Sequence, residues 1–348
     1  MFKKILIGLL GLVVALLILA IATMQVMESK AETRLARTWT VDAPDVPIPW
    51  PLTGGDKAEL IRAKVKAAPE GTYRTEGGVH IPDPLEGEDL DAIALERAVA
   101  RGEQYLATRA PCAECHGADF GGKVIMDNPA MGRWVGPNVT TGGLTANYTG
   151  ADWVRIIRHG VKPDGSTATM PSIDFQSFSD QEISDIAAAI HAQPAVSKEV
   201  PPTDFGPVFT MLVGMEKIPL SAEVIDHSKK RATVPPPVTV SLELGEHLGH
   251  TCSGCHGATF VGGPMTGGDP SWPPASDISG AALKGWTLDE FRAAMTKGTG
   301  KDGRTLAVPM ADVIPYTAKM QPEELESLFQ FLKTQGPTGA EEPKTEPQ

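Results

Sequence analysis

Hydrophobic positions along the chain form one long apolar stretch near the N-terminus and several short amphipathic segments further on. Residues 5–24 are a 20-residue stretch without a charged side chain. As a helix rising about 1.5 Å per residue, this stretch would cross about 30 Å of hydrocarbon. Lys3 and Lys4 precede it, and the positive-inside rule therefore places the rest of the chain outside the cytoplasm. The pattern predicts a transmembrane anchor over 5–27; a signal peptide cleaved near Ala22 is the alternative.

Beyond residue 90, short segments carry apolar residues at helical spacing between capping signals. Thr149 and Thr287 each stand three residues before an acidic side chain, which is the capping-box pattern at a helix start. Two later segments repeat apolar residues at i, i+3, i+4 and i+7: Ile183, Ile186, Ala187 and Ile190 in the first, and Leu325, Leu328, Phe329 and Leu332 in the second. Earlier helices are predicted over 95–109 and 242–249. The fold class expected is all-α.

Length and composition indicate how many domains the chain can form and what could fill their interiors. The 348 residues suffice for two or three domains. Hydrophobic residues make up 41% of the chain, which supports packed cores and excludes a disordered protein. The 36 Gly and 30 Pro indicate loop-rich domains, whose interiors a bulky cofactor could help to fill. The net charge of -12 argues against nucleic acid as a partner.

The four cysteines all belong to two Cys-x-x-Cys-His pentapeptides, 112–116 and 252–256. This is the attachment signature of c-type haem, in which two thiols form thioethers with the porphyrin and the adjacent His binds the iron. A zinc ribbon would need pairs about 15 to 20 residues apart, and a redox dithiol gives no reason for the His. We therefore predict two covalently bound haem c groups, attached at Cys112 and Cys115 and at Cys252 and Cys255, with His116 and His256 as iron ligands.

An internal repeat suggests the sixth iron ligands. The two pentapeptides are offset by 140 residues (252 minus 112), and the offset continues through the loop behind them. Met170 and Met310 share this offset, and each lies 54 residues after its own His (170 minus 116, 310 minus 256). A soft thioether is a common sixth ligand of an electron-carrying haem. We predict both methionines as ligands, with His159, His247 and His250 as less favoured candidates.

With these motifs in place, the region from about 93 to 336 resembles tandem mono-haem cytochrome c domains of the all-helical type. The stretches 136–140, 158–160 and 193–202 are similar to those of membrane-bound cytochrome subunits of periplasmic alcohol, aldehyde and sugar dehydrogenases. Those subunits typically carry three haems, whereas this chain has two motifs. The resemblance implies that the carbonyl of Pro137 holds the proximal imidazole of the first domain; it gives no such role to Ser276 in the second.

The domain organisation follows from these elements. The apolar residues of the interdomain linker, Phe209 to Met215, are expected to pad the interface between the two copies. The predicted boundaries are a transmembrane anchor over 5–27, a linker and packed extension over 28–92, cytochrome c domains over 93–198 and 238–336, an interdomain linker over 199–237, and a disordered tail over 337–348.

The function expected is electron transfer without catalytic residues. The haem domains would lie on the periplasmic side of the inner membrane and relay single electrons from a membrane-associated donor to an acceptor on that side. The redox partner would be a periplasmic dehydrogenase, a quinol-oxidising complex or a terminal oxidase. The alternatives are a di-haem oxidase subunit and a di-haem peroxidase or thiosulfate-oxidising enzyme. Such an enzyme needs an open sixth position on iron, which a Met in both copies argues against.

Overall fold

The computed structural model describes residues 2–69, 72–73, 83–265 and 271–336. The predicted disordered tail over 337–348 lies outside the described residues. In the part of the chain that is described, one helix is long and apolar enough to cross a membrane, by length and composition alone.

That helix, α1 (Phe2–Leu35), continues beyond the uncharged stretch as one unbroken element. Its side chains are exposed from Ile5 to Val26. Further along, Ala31 is fully buried and Arg34 is half-buried against the rest of the protein. The helix therefore extends eight residues past the predicted anchor (35 minus 27), because its last turns pack on the folded domain.

The first repeat is an arrangement of short helices around the first pentapeptide, preceded by α2 (Gly54–Ala67). Thr149 and Ser179 form complete capping boxes at the helix starts, as their spacing predicts. The predicted all-α fold class is confirmed. In chain order the helical elements are α3 (Leu90–Thr108), α4 (Cys112–His116), α5 (Gly150–His159), a 3-10 helix over Ser172–Phe175, and α6 (Asp180–His191).

A small antiparallel sheet interrupts the first repeat, and helical periodicity gave no signal for it. Its three strands are β1 (Lys123–Asn128), β2 (Gly132–Gly136) and β3 (Asp204–Phe205), with β2 in the centre. The end of β2 lies so close to α4 that a Cβ at Gly136 would overlap the carbonyl group of Cys115. The sheet thus supports the first Cys-x-x-Cys-His pentapeptide from one side.

The segment between the repeats contains α7 (Pro207–Gly214) and α8 (Ser221–Val224). The expectation that its apolar residues pad the interface between the two copies is wrong for α7. Phe209 and Val213 of α7 form a buried cluster with Ala31 of α1 instead. The reason is that α1 extends far enough into the protein to offer its own apolar face.

The second repeat reproduces the helices of the first. Its first helix has the predicted bounds, and Thr287 again forms a complete capping box. The elements are α9 (Leu242–Gly249), a 3-10 helix over His250–Cys252, α10 (Ser253–His256), α11 (Leu288–Lys297), α12 (Met310–Thr317) and α13 (Pro322–Leu332).

In both repeats the first and last helices cross at a glycine. A Cβ at Gly102 of α3 would overlap the carbonyl group of Asp185 in α6. A Cβ at Gly245 of α9 would likewise overlap the carbonyl group of Ser327 in α13. Because both crossings need the same close backbone approach, the two halves share one helical fold.

Candidate haem-binding sites

Each pentapeptide forms about one helical turn whose thiols are free. Burial raises the pKa of the Cys112 thiol to about 12 and that of the Cys252 thiol to about 11. Catalytic dithiols and zinc ligands need the opposite shift, toward the thiolate. In addition, no group of three or more His, Cys, Asp or Glu able to hold a metal ion occurs among the described residues. The raised pKa values thus argue against a reactive redox dithiol at either pentapeptide.

The proximal histidines are held in the same way in both repeats. His116 Nδ1 lies 2.8 Å from the carbonyl oxygen of Pro137, and His256 Nδ1 lies 2.7 Å from that of Ser276. When Nδ1–H donates to a carbonyl, Nε2 keeps its lone pair for a metal. Burial also lowers the pKa of both imidazoles, which favours the neutral, metal-binding form.

Ser276 therefore makes the contact that the sequence assigned only to Pro137. The acceptor is a main-chain carbonyl, and any residue with the right backbone position can supply it. For this reason, the residue type at position 276 does not indicate whether its carbonyl accepts the hydrogen bond. The signal that could have located Ser276 is its distance of 20 residues from His256 (276 minus 256), close to the 21 residues that separate Pro137 from His116 (137 minus 116).

The loop behind each pentapeptide has one conformation in both copies. Phe120 and Phe260 both adopt the left-handed region, with φ of 53° and 60°, which non-glycine residues seldom occupy. The amide of Gly122 donates to the His116 carbonyl at 2.8 Å, and that of Gly262 donates to the His256 carbonyl at 2.9 Å. These bonds fix the main chain of each proximal His.

Each predicted methionine ligand lies on the apolar cluster of its own repeat. Met170 is half-buried and packs on the cluster that also contacts Cys112. Met310, the first residue of α12, packs on the cluster that also contacts Cys252. Met295 and Met320 share the second cluster, so the 140-residue offset is what singles out Met310.

That offset is not constant along the repeats. The left-handed glycines that end α5 and α11, Gly160 and Gly298, are 138 residues apart (298 minus 160). Met170 follows Gly160 by 10 residues and Met310 follows Gly298 by 12 (170 minus 160, 310 minus 298). A two-residue insertion before Met310 therefore restores the offset of 140.

Trp153 gives an independent sign that a polar group is missing from the first cluster. The side chain is 3% exposed, and its Nε1–H has no acceptor among the described residues. A buried unpaired N–H is costly, and a haem propionate oxygen is an acceptor of suitable chemistry. Trp153 lies in the cluster that Met170 and Cys112 contact, so the site fits a haem.

Of the three histidines that were less favoured as iron ligands, two form hydrogen bonds with other side chains. His159 Nδ1 lies 3.0 Å from Nδ1 of His227, whose Nε2 lies 2.9 Å from the Ala222 carbonyl oxygen. His227 Nε2–H therefore donates to Ala222, and His159 Nδ1–H donates to His227. Burial, together with His227, lowers the pKa of His159 to about 3. His247 Nε2 lies 2.9 Å from a carboxylate oxygen of Glu182.

The two repeats meet through their Cys-x-x-Cys-His segments. Tyr316 of α12, shortly after Met310, donates its hydroxyl hydrogen bond to the Glu114 carboxylate inside the first pentapeptide. Conversely, Asp174, shortly after Met170, lies against Gly254 inside the second pentapeptide, where an added Cβ would overlap its carboxylate. The segment that begins with the predicted methionine ligand of each repeat thus contacts the Cys-x-x-Cys-His turn of the other repeat.

A buried charge cluster, which we call the Arg109 cluster, joins the repeats beside these contacts. Arg109 lies 2.7 Å from Glu182 of α6 and 3.3 Å from Glu324 of α13, and Glu182 also pairs with His247. These four side chains are at most 8% exposed. The two glutamates are the third residues of α6 and α13 and belong to the capping boxes at the starts of these helices. Sequence reasoning used the capping spacing to locate helices but missed the cluster.

Removing Arg109 should destabilise the protein strongly. Arg109→Ala leaves two buried carboxylates without their cation, and breaking a buried pair in this way costs about 3–5 kcal/mol. Arg133→Ala is the matched control, because Arg133 pairs with Asp127 on the surface, where such pairs contribute about 0–1 kcal/mol. Thermal unfolding of the holoprotein tests this, and equal shifts in midpoint for the two variants would contradict it.

The same cluster predicts a loss of stability in acid. Burial of Glu182 opposes its ionisation, but Arg109 and His247 outweigh it and lower the pKa to about 2. The stability that this carboxylate contributes is full above its unfolded pKa of about 4.3 and is lost as the pH falls toward 2. We expect a loss on the order of 3 kcal/mol over that window. Denaturant unfolding at each pH should show a shallower dependence in Glu182→Gln, and parallel curves would refute the assignment.

Comparisons with known proteins agree with the site. The family model described as cytochrome c oxidase, cbb3-type, subunit III matches residues 83–188. The cytochrome c subunits of quinone alcohol dehydrogenases from Gluconacetobacter polyoxogenes and Komagataeibacter europaeus are each 24% identical over 278 residues, covering 72% of this chain. The subunit of the same name from Gluconobacter oxydans is 25% identical and covers 69%.

The chain spans about 57% of the length of the first two relatives and 55% of the third. The relatives are named as cytochrome c subunits, which agrees with the predicted role of electron carrier. Together with the Cys-x-x-Cys-His turns, these matches show that the chain is similar to the cytochrome c subunits of quinone alcohol dehydrogenases.

Proposed function

We propose that this chain is a c-type cytochrome that carries two haem c groups and relays single electrons between a membrane-associated donor and an acceptor on the periplasmic side. The observation that supports two haems is the repetition of the whole site. In both copies a free thiol pair is followed by an imidazole tied to a carbonyl, and the first cysteine and a methionine pack on one apolar cluster. His116 and Met170 would bind the first iron, and His256 and Met310 the second.

The haem supplies the one-electron chemistry when it is bound. The protein contributes attachment, orientation and a dry surrounding. The carbonyls of Pro137 and Ser276 orient the imidazoles, and the apolar clusters exclude water from the side on which the methionines lie. A methionine ligand and an apolar surrounding both favour ferrous iron, so both haems should have raised potentials.

We infer that the donor is a quinone alcohol dehydrogenase, because the curated relatives are named as cytochrome c subunits of that enzyme. A second candidate is a terminal oxidase, because the family model that matches 83–188 is named for an oxidase subunit. Extraction of the native protein in mild detergent, followed by identification of the copurifying proteins, distinguishes the two. A copurifying quinone alcohol dehydrogenase supports the first proposal, and a copper-containing oxidase replaces it with the second.

We also propose that α1 holds the haem repeats at the periplasmic face of the inner membrane. A helix of this apolar length is retained by the hydrophobic effect and not by screenable charge. The protein should therefore remain in the membrane fraction after high-salt and carbonate washing. A soluble native protein whose N-terminus lies near Thr23 would show a cleaved signal peptide instead.

A further inference from the structure

Helix α7 has apolar side chains on two faces, and only one of them is covered by the rest of the protein. Phe209 and Val213 on the inner face are at most 1% exposed. The outer face carries four apolar residues at i, i+3, i+4 and i+7, of which the first and last are 37% and 47% exposed and the other two half-buried. We call this set the α7 stripe: Val208, Met211, Leu212 and Met215.

The stripe lies beside the point at which the apolar part of α1 ends. A Cβ at Gly214 would overlap the backbone of Met27, so the two helices touch there. Met27 is three residues beyond Met24, where the stretch 5–24 ends, or about 4.5 Å along a helix axis, and it directly precedes Glu28, the first charged residue after Lys4. Met24 and Val26 are themselves apolar and about half exposed, at 49% and 51%. The apolar surface of α1 thus lies directly beside the stripe.

The attachment of α7 to α1 is specific. Arg34 donates to the carbonyl of Val213 and forms an ion pair with Glu223 at the start of the following segment. These contacts involve α1 residues beyond the uncharged stretch. They hold α7 against the part of α1 that would emerge from a bilayer.

The chemistry of the stripe suits lipid. No residue of α7 is charged, and its one side-chain hydroxyl, on Thr210, donates to the carbonyl of Gly206 within the helix. The outer face therefore offers a protein partner no free side-chain polar group to pair with. Helices that lie in the membrane interface bury their apolar face about 5–10 Å into the headgroup and acyl boundary, a depth that the position beside Met27 allows.

We propose that α7 is a second membrane contact, which lies in the bilayer interface beside α1 and presents the α7 stripe to the lipid acyl chains. This inference rests on the proposed anchoring by α1. With two contacts, the first repeat is held in one orientation relative to the membrane, because α7 leads directly from β3, which pairs with β2 next to the first pentapeptide. A flexible tether would not fix that orientation.

Photolabelling from within the bilayer tests the proposal on the full-length holoprotein. The protein is reconstituted into phosphatidylcholine vesicles that contain a phosphatidylcholine with a diazirine in its acyl chain, and adducts are mapped by mass spectrometry. We expect adducts on α1 and on the α7 stripe, with the stripe labelled at least about fivefold more than a control surface outside the interface. Val238 and Val240 provide that control, since each is 43% exposed.

A second measurement uses methionine oxidation by dissolved peroxide. Met215 and Met126 are similarly exposed, at 47% and 39%, but only Met215 belongs to the stripe. In vesicles we expect Met215 to be oxidised about tenfold more slowly than Met126, because its side chain is out of contact with water. Equal oxidation rates for the two methionines would overturn the proposal.

The outcomes separate this proposal from the anchoring on which it rests. Labelling of α1 with only background labelling of α7 would overturn the α7 contact and leave the anchor intact. An absence of labelling on both helices would overturn both. If α7 in native membranes crosslinks to a copurifying subunit and receives no lipid adducts, a protein covers the stripe and the lipid assignment is wrong.

Discussion

Intact mass of the full-length holoprotein should correspond to the polypeptide plus two haems, and serine at both Cys252 and Cys255 should reduce it to one. Thioether bonds survive acid-acetone extraction, which strips non-covalent haem, so a haem stain after extraction reports only attached groups. The reciprocal variant, with serine at Cys112 and Cys115, should also retain one haem. Each loss should halve the haem absorbance per chain.

The two serine variants also control for each other. Each repeat has its own apolar cluster, so the remaining haem should keep its spectrum. A wild-type mass with one haem, or a disulfide within either pentapeptide, would contradict the proposed di-haem carrier. Loss of both haems from either variant would instead show that the repeats depend on each other to fold, through the contacts between Tyr316 and Glu114 and the Arg109 cluster.

The sequence was sufficient to predict the helical frame because its signals are local. Capping boxes at Thr149, Ser179 and Thr287 depend on residues three positions apart, and the structure forms all three. The helix periods likewise depend on spacing within one element. The first helix of the first repeat nevertheless starts at Leu90, after the N-cap residue Asp89, and not at the predicted residue 95. The prediction was late because apolar periodicity weakens in an exposed first turn.

Features that join distant parts of the chain were not predictable in this way. Glu182 and Glu324 each belong to a local capping box, and nothing local shows that Arg109 lies between them. The position of α7 depends on how far α1 continues as a helix, which its charged last turns do not reveal. No sequence motif could indicate the hydrogen bond to the carbonyl of Ser276, because every residue has a main-chain carbonyl. In each case the missing information is a tertiary contact.

Met170→His and Met310→His should each lower the potential of one haem, because imidazole stabilises ferrous iron less than a thioether does. We expect a decrease on the order of 0.1 V or more, within the roughly 0.8 V over which axial ligands tune haem potentials. The weak far-red absorption band of ferric haem with a methionine ligand should fall by about half in each variant, since one of two such irons is changed. Potentiometric titration followed optically measures both effects.

Two controls decide whether the 140-residue offset identified the ligands. Met295 and Met320 pack on the same cluster as Met310, so Met295→Leu and Met320→Leu test the other methionines within reach of the second site. Leucine cannot bind iron but keeps the apolar packing. Both leucine variants should retain the full far-red band, because a thioether that only fills the core leaves the iron unchanged. If Met320→Leu loses half of the band while Met310→His keeps it, Met320 is the ligand, and the two-residue insertion before Met310 has another cause.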